Sequence, residues 1–104
     1  MIDTQYHPLF DQAMDLQFKF HDFSAGQASH HPEARVIQNE IHQLVQDITV
    51  MRNPHSLEDR IKTIQNQLKQ TQHTKDPFMN YEHHDFMYDN FEHMRGQLRK
   101  FDNY

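Results

Sequence analysis

Four prolines divide the chain. Pro8, Pro32, Pro54 and Pro77 each stand at the head of a segment whose apolar residues recur with helical periodicity. Proline is tolerated in the first turn of a helix, where its missing N–H has no intrahelical partner, and it breaks a helix anywhere further in. The pattern therefore predicts four helices, over about 8–25, 32–52, 57–73 and 77–101, in a single helical domain spanning 1–104. Only two glycines are available for tight turns, which argues against an all-β fold.

Each segment has its own pattern. In the first, Leu9, Ala13, Leu16, Phe20 and Phe23 make one stripe at 4-3-4-3 spacing. Phe10, Met14 and Phe18 lie off it and form a second apolar face, either a wide core contact or a surface for another chain. Gly26, in a loop-like run from Ser24 to Ser29, either ends the helix or is passed over on the way to Ser29. The second segment is a heptad seam: Ala34, Ile37, Ile41, Leu44, Ile48 and Met51 recur at 3-4-3-4-3, with Gln38, Asn39, Gln43, Gln46 and Asp47 assigned to the other face. Glu33 suits the positive end of its helix dipole, and Asn53 before Pro54 ends the helix. Leu57, Ile61, Ile64 and Leu68 continue the seam in the third segment, with Ser56 as the expected cap of the Asp59 N–H. The fourth is expected to open with Asp76 as cap and Pro77 as first helical residue. It carries a broad band of Phe78, Met79, Phe86, Met87, Phe91, Met94, Leu98 and Phe101, and Gly96 suggests a close helix–helix approach.

Composition narrows the function. Hydrophobic residues make up 36% of the chain, below the roughly 45–50% usual for a self-sufficient globule. An elongated fold or a core completed by another chain would account for this. Apolar positions on the first and fourth helices exceed what one seam needs, so a homodimer through those helices is expected. Phe10, Met14, Phe18, Phe86, Met87, Phe91 and Met94 are the expected interaction surface, and the ten residues expected to be mostly buried are Leu9, Leu16, Phe20, Ile37, Ile41, Leu44, Ile48, Ile61, Ile64 and Leu68. A net charge of −5 with histidine neutral speaks against a nucleic-acid partner. The start of the chain has neither a basic nor an apolar leader region, and no apolar run approaches the roughly 20 residues of a membrane span. A cytoplasmic location without membrane contact is the expectation.

Ten histidines and no cysteine bound the chemistry. Without thiols there is no disulfide, thiolate zinc site, iron–sulfur cluster or cysteine nucleophile. The histidines suit a surface in an acidic cytoplasm, with His and Gln where Lys often stands; a pH sensor is the other reading and needs a coupled switch. The densest reactive cluster is Glu82-His83-His84-Asp85 with Asp89, Glu92 and His93 downstream. Asp89 and His93 share a helix face and could offer two ligands to Zn²⁺. A full site from His83, His84, Asp89 and His93 would need help from His7, His21, His42 or a dimer mate, and a solvated, His-rich helix face is the plainer reading. The zinc-protease and di-iron helix motifs are absent, as are nucleophile-elbow and phosphate-loop glycines. No catalytic residue and no cofactor is expected.

Two stretches resemble a known family. His30-His31-Pro32-Glu33-Ala34, followed by Ile37, Ile41, Leu44 and Ile48, is similar to the Asp-Pro-Glu-Ala helix start and Gln-rich amphipathic helix of the YlbF/YmcA/YheA family of small helical proteins from Gram-positive bacteria. Lys75-Asp76-Pro77-Phe78-Met79-Asn80-Tyr81 resembles that family's second Pro-opened helix. His31 replaces the family's Asp, and the lack of cysteine removes any cluster-binding role of larger members. The resemblance implies an all-α, self-associating cytoplasmic protein without a catalytic motif, some relatives being adaptors in complexes that influence development, competence and RNA processing.

The sequence thus predicts an all-α bundle of four helices in antiparallel hairpins, dimeric and non-catalytic, acting as an adaptor or regulator through protein–protein interaction. A His-rich metal-binding helical protein and a bacteriocin-immunity-like helical bundle are the alternatives.

Overall fold

The computed structural model describes residues 3–104, and over them the chain forms four long helices: α1 His7–Ser24, α2 Pro32–Thr49, α3 Pro54–Gln72 and α4 Tyr81–Leu98. Short 3-10 turns at Thr4–Tyr6 and Gln27–Ser29 lead into α1 and α2, and there is no strand among the described residues. The reading of the chain's start as leaderless rests partly on Met1 and Ile2, which lie outside that range.

The helix starts follow from proline geometry, with two corrections. Asn53 and His31 precede prolines and are extended, as the proline ring requires of its predecessor. Extended backbone is also what an N-cap needs, so Asn53 and not Ser56 caps α3, its side chain accepting from the Ser56 N–H at 2.9 Å. The helix therefore begins three residues earlier than the sequence suggests. Asp76 and Pro77 do not open α4. Phe78 and Met79 turn inward to close one end of the bundle, 3% and 5% exposed, which keeps the backbone out of helix until Asn80 caps it by accepting from the His83 N–H at 2.8 Å.

The helix ends are also shorter than expected. Helix α2 stops at Thr49 because Met51 adopts a left-handed φ of 55° to turn the chain toward extended Asn53. Helix α1 stops at Ser24, where Ala25 (φ 35°) and Gly26 (φ 76°) are both left-handed, so Gln27–Ser29 is a separate turn. Helix α4 ends at Leu98, and Phe101 folds back so that its ring meets Tyr6 edge-on at 5.0 Å.

The three connections are short, which makes sequential helices antiparallel neighbours. Cross-helix contacts bear this out: Gln17 meets His42, Arg60 meets Asp47 and Glu40, Thr71 meets His84, and Glu58 meets Arg95 and Arg99. Helix α4 returns to pack against α1, closing a bundle of 42 × 21 × 18 Å. All ten residues expected to be buried are at most 2% exposed. Gly96 does not mark a close approach, since an added Cβ would meet nothing within 4 Å.

Two polar networks hold the helices in register, and neither is evident from apolar spacing. Asp47, assigned above to the solvent face, is 8% exposed and accepts from Arg60 Nε at 2.9 Å and Gln43 Nε2 at 3.0 Å. Glu58 is 4% exposed and accepts from Arg99 (2.8 Å), Arg95 (3.2 Å) and the Tyr104 hydroxyl (2.8 Å). Seven residues on, Gln65 takes the same position on the α3 face and binds Arg95 and Glu92.

Candidate interaction surface

Helix α1 has two faces of different fate. Leu9, Ala13, Leu16 and Phe20 are buried. On the far side Asp11, Asp15, Phe18 and Asp22 are exposed at the same 4-3-4 spacing. A phenylalanine therefore stands, 64% exposed, in a row of three aspartates. Lys19 leans off this row, binding Asp15 at 2.7 Å and placing its ammonium 5.1 Å above the Phe86 ring. Toward α2 the row borders an open groove of about 420 Å³, formed by Met14, Gln17, Phe18 and His21 of α1 with Gln38, His42 and Val45 of α2. His42 is held on its wall between Gln17 (3.1 Å) and Gln46 (3.2 Å).

The expected interaction residues divide. Phe18 and Phe86 are exposed, while Phe10 and Met14 are half-buried against the edge of the core. Met87, Phe91 and Met94 are fully buried and cannot meet another chain. They lie on the inner stripe of α4, together with His84 and Leu98, and complete the chain's own core. The band is too broad for one seam only if Phe78 and Met79 belong to the helix; they lie before α4, in the connection that plugs the bundle.

The His/Asp cluster of α4 is dispersed by the helix. Its inner member, His84, is 1% exposed, whereas Asp89 and His93 face solvent. His83 lies flat against Phe23 of α1, ring centroids 3.8 Å apart. Asp89 and His93 share the outer face of α4, but His83 and His84 point elsewhere, and among the described residues no group of three His, Asp or Glu side chains is placed to hold a metal ion.

Among the described residues His84 is the most deeply buried imidazole, 1% exposed against 9% for His31. Its Nδ1 lies 3.2 Å from the Asn80 carbonyl, which can only accept, so Nδ1 carries a proton. Its Nε2 faces the Thr71 hydroxyl at 3.2 Å, and that hydroxyl also reaches the Gln67 carbonyl at 2.9 Å. Turning the hydroxyl toward Gln67 would let a protonated Nε2 donate to its oxygen, so both forms of the ring find partners. Burial decides between them and pushes the imidazole below its ordinary value of 6.5, against the pull of the Asn80 and Met79 backbone and of Asp85. A depressed folded-state pKa means that the unfolded chain binds the proton more tightly. This contribution to stability is complete above pH 6.5 and is lost as the pH falls toward the folded-state value. Thermal melts between pH 7.5 and 5 are expected to show a falling midpoint, with a shallower fall in His84→Gln. An equally steep fall in the variant would assign the dependence to other groups.

No family model, curated protein or solved structure matches the chain.

Proposed function

We propose that the chain is a non-catalytic helical adaptor or regulator that acts through protein–protein contact and self-association. The observation that carries this reading is Phe18: a large aromatic ring, 64% exposed, at the lip of an open groove between α1 and α2. Single exposed apolar residues are common, but one that borders an apolar groove and is ringed by charge is typical of a docking face. Tyr81 and Phe86 extend exposed aromatic surface on α4, the other helix through which a homodimer is expected. The resemblance of the second and fourth segments to the YlbF/YmcA/YheA family points the same way, toward an adaptor in the cytoplasm.

Affinity capture from the native host, read by mass spectrometry and run in parallel with Phe18→Asp, tests the adaptor role. Proteins retained by the native chain and lost by the variant are expected; identical lists would remove the reading. Sedimentation at micromolar concentration tests self-association, and a clean monomer removes that half alone. A bacteriocin-immunity-like role is the second reading, favoured by the same closed four-helix bundle, and gene neighbourhood distinguishes it from the adaptor.

A further inference from the structure

We propose that the α1/α2 groove receives a basic amphipathic helix of a partner protein, its apolar stripe on Met14, Phe18 and Val45 and its cations against the aspartate row of α1. This rests on the adaptor reading and specifies the partner's chemistry. The groove is formed by side chains of two antiparallel helices and runs along them from Met14 to His21 on α1, about two helical turns or roughly 10 Å. A straight trough between helices fits a third helix, whose apolar side chains at i, i+3, i+4 and i+7 fall along one line.

Charge selects the occupant. Asp11, Asp15 and Asp22 are exposed on the outer side of α1, beside the groove and not in its lining, and Lys19, bound to Asp15 and turned over Phe86, is directed away from the groove toward α4. The opposite wall carries Arg35 and the uncharged Gln38, Asn39 and Gln46, with His42 between. A cationic helix therefore gains from the α1 side and meets a single positive side chain opposite. A second copy of this chain fits poorly in this groove, which leaves the exposed Tyr81 and Phe86 of α4 for self-association. Pairing the α1 helices antiparallel about Phe18 would set Asp15 of one against Asp22 of the other, and like charges brought together at an interface are costly. An anionic lipid surface would be repelled by the same row.

The test uses the full chain and two labelled helical peptides of about 18 residues. Both carry leucines at the stripe positions; lysines fill the remainder of one and glutamates that of the other. At roughly physiological ionic strength, fluorescence anisotropy is expected to show the lysine peptide binding at least about tenfold more tightly than the glutamate peptide. Phe18→Asp adds negative charge while removing the ring, so a fall of about tenfold or more in lysine-peptide affinity is expected if the groove is the site. Asp89→Asn, which removes an acid from α4, should leave binding unchanged. Equal affinity for the two peptides would overturn the proposal, and so would undiminished binding to Phe18→Asp, which would show attraction to bulk charge alone. A dimer in sedimentation that Phe18→Asp dissolves would assign the groove to a second copy and overturn it too. If neither peptide binds while capture from the host still depends on Phe18, the partner class proposed here is wrong and the adaptor reading stands. A far-ultraviolet melt matching the native chain confirms that Phe18→Asp is folded, as expected for a side chain outside the core.

Discussion

Phe20→Ala is expected to destabilise the bundle by about 3–5 kcal/mol, lowering the thermal midpoint by roughly 15–30 °C. Phe20 is 0% exposed, and its ring meets Phe78 edge-on at 5.7 Å. It is thus the α1 contact that holds the plug between α3 and α4 in place, and removing it leaves a cavity under a segment with no helical hydrogen bonds of its own. Two residues earlier in the same helix, Phe18→Ala is expected to change stability by no more than about 0.5 kcal/mol. The pair compares one residue type on one helix with only the direction of the side chain changed. Comparable losses from both substitutions, read by circular dichroism melts, would mean that the outward face of α1 is not outward.

Glu58→Ala is expected to cost about 3 kcal/mol at neutral pH, because removing one partner of a buried ion pair strands the other. The stranded group is Arg95, whose side chain is 16% exposed; it keeps Gln65 and Glu92, each at 3.0 Å, which holds the cost toward the lower end of the range for such breaks. The acid side of the stability curve should change as well. Burial alone would raise the Glu58 pKa, but the hydrogen bonds from Tyr104, Arg95 and Arg99, with the Arg99 charge, outweigh it and hold the carboxyl below its ordinary 4.5. The contribution is present above pH 4.5 and disappears as the pH falls through the lower folded-state value. Melts below pH 4.5 should therefore decline less steeply in Glu58→Ala than in the native chain, a window below the one assigned to His84. Unchanged neutral stability, or an unchanged slope below pH 4.5, would contradict this account of the cluster.

How far the sequence could be read depended on whether a residue's role was local. The seams of α2 and α3 were legible because heptad spacing directly specifies which side chains share a face; every residue of them is buried except Met51, which lies past the end of α2 and is 42% exposed. Proline placed the starts of α1 and α2 well for the same reason. It misled at Pro77, because proline tolerates the first turn of a helix without requiring one, and the inward turn of Phe78 depends on the rings of Phe20, His31 and His84, which lie far from it in sequence or on another element. Ser56 lost its role to Asn53 because both residues can cap and only the extended backbone before Pro54 decides between them.

The polar core was illegible. Asp47 reads as a solvated charge and Glu58 carries no signal of its own, since nothing in their own helices reveals that Arg60, Arg95 and Arg99 arrive from a neighbour. Their seven-residue spacing to Gln65 and Glu40 was the available signal: polar residues repeating in step with a seam sit at its edge. The candidate surface was half legible. Phe10, Met14 and Phe18 stood out as off-stripe on α1, and the structure leaves them at or near the surface, but the α4 residues grouped with them belong to the core. Periodicity tells which residues share a face; it does not tell which of two apolar faces another helix will cover.

The division of apolar side chains between core and surface is what both the fold and the proposed docking face require, and the methionines report it most directly. Met51 is 42% exposed in the α2–α3 turn, while Met79, Met87 and Met94 are at most 5% exposed. Brief hydroxyl-radical oxidation of the native chain, read peptide by peptide in a mass spectrometer, is predicted to label Met51 and Phe18 quickly and to leave Met87, Met94, Phe20 and Phe91 protected until the chain is unfolded. Labelling of Met87 and Met94 as fast as Met51 under native conditions, or a protected Phe18 in the dilute chain, would contradict the account.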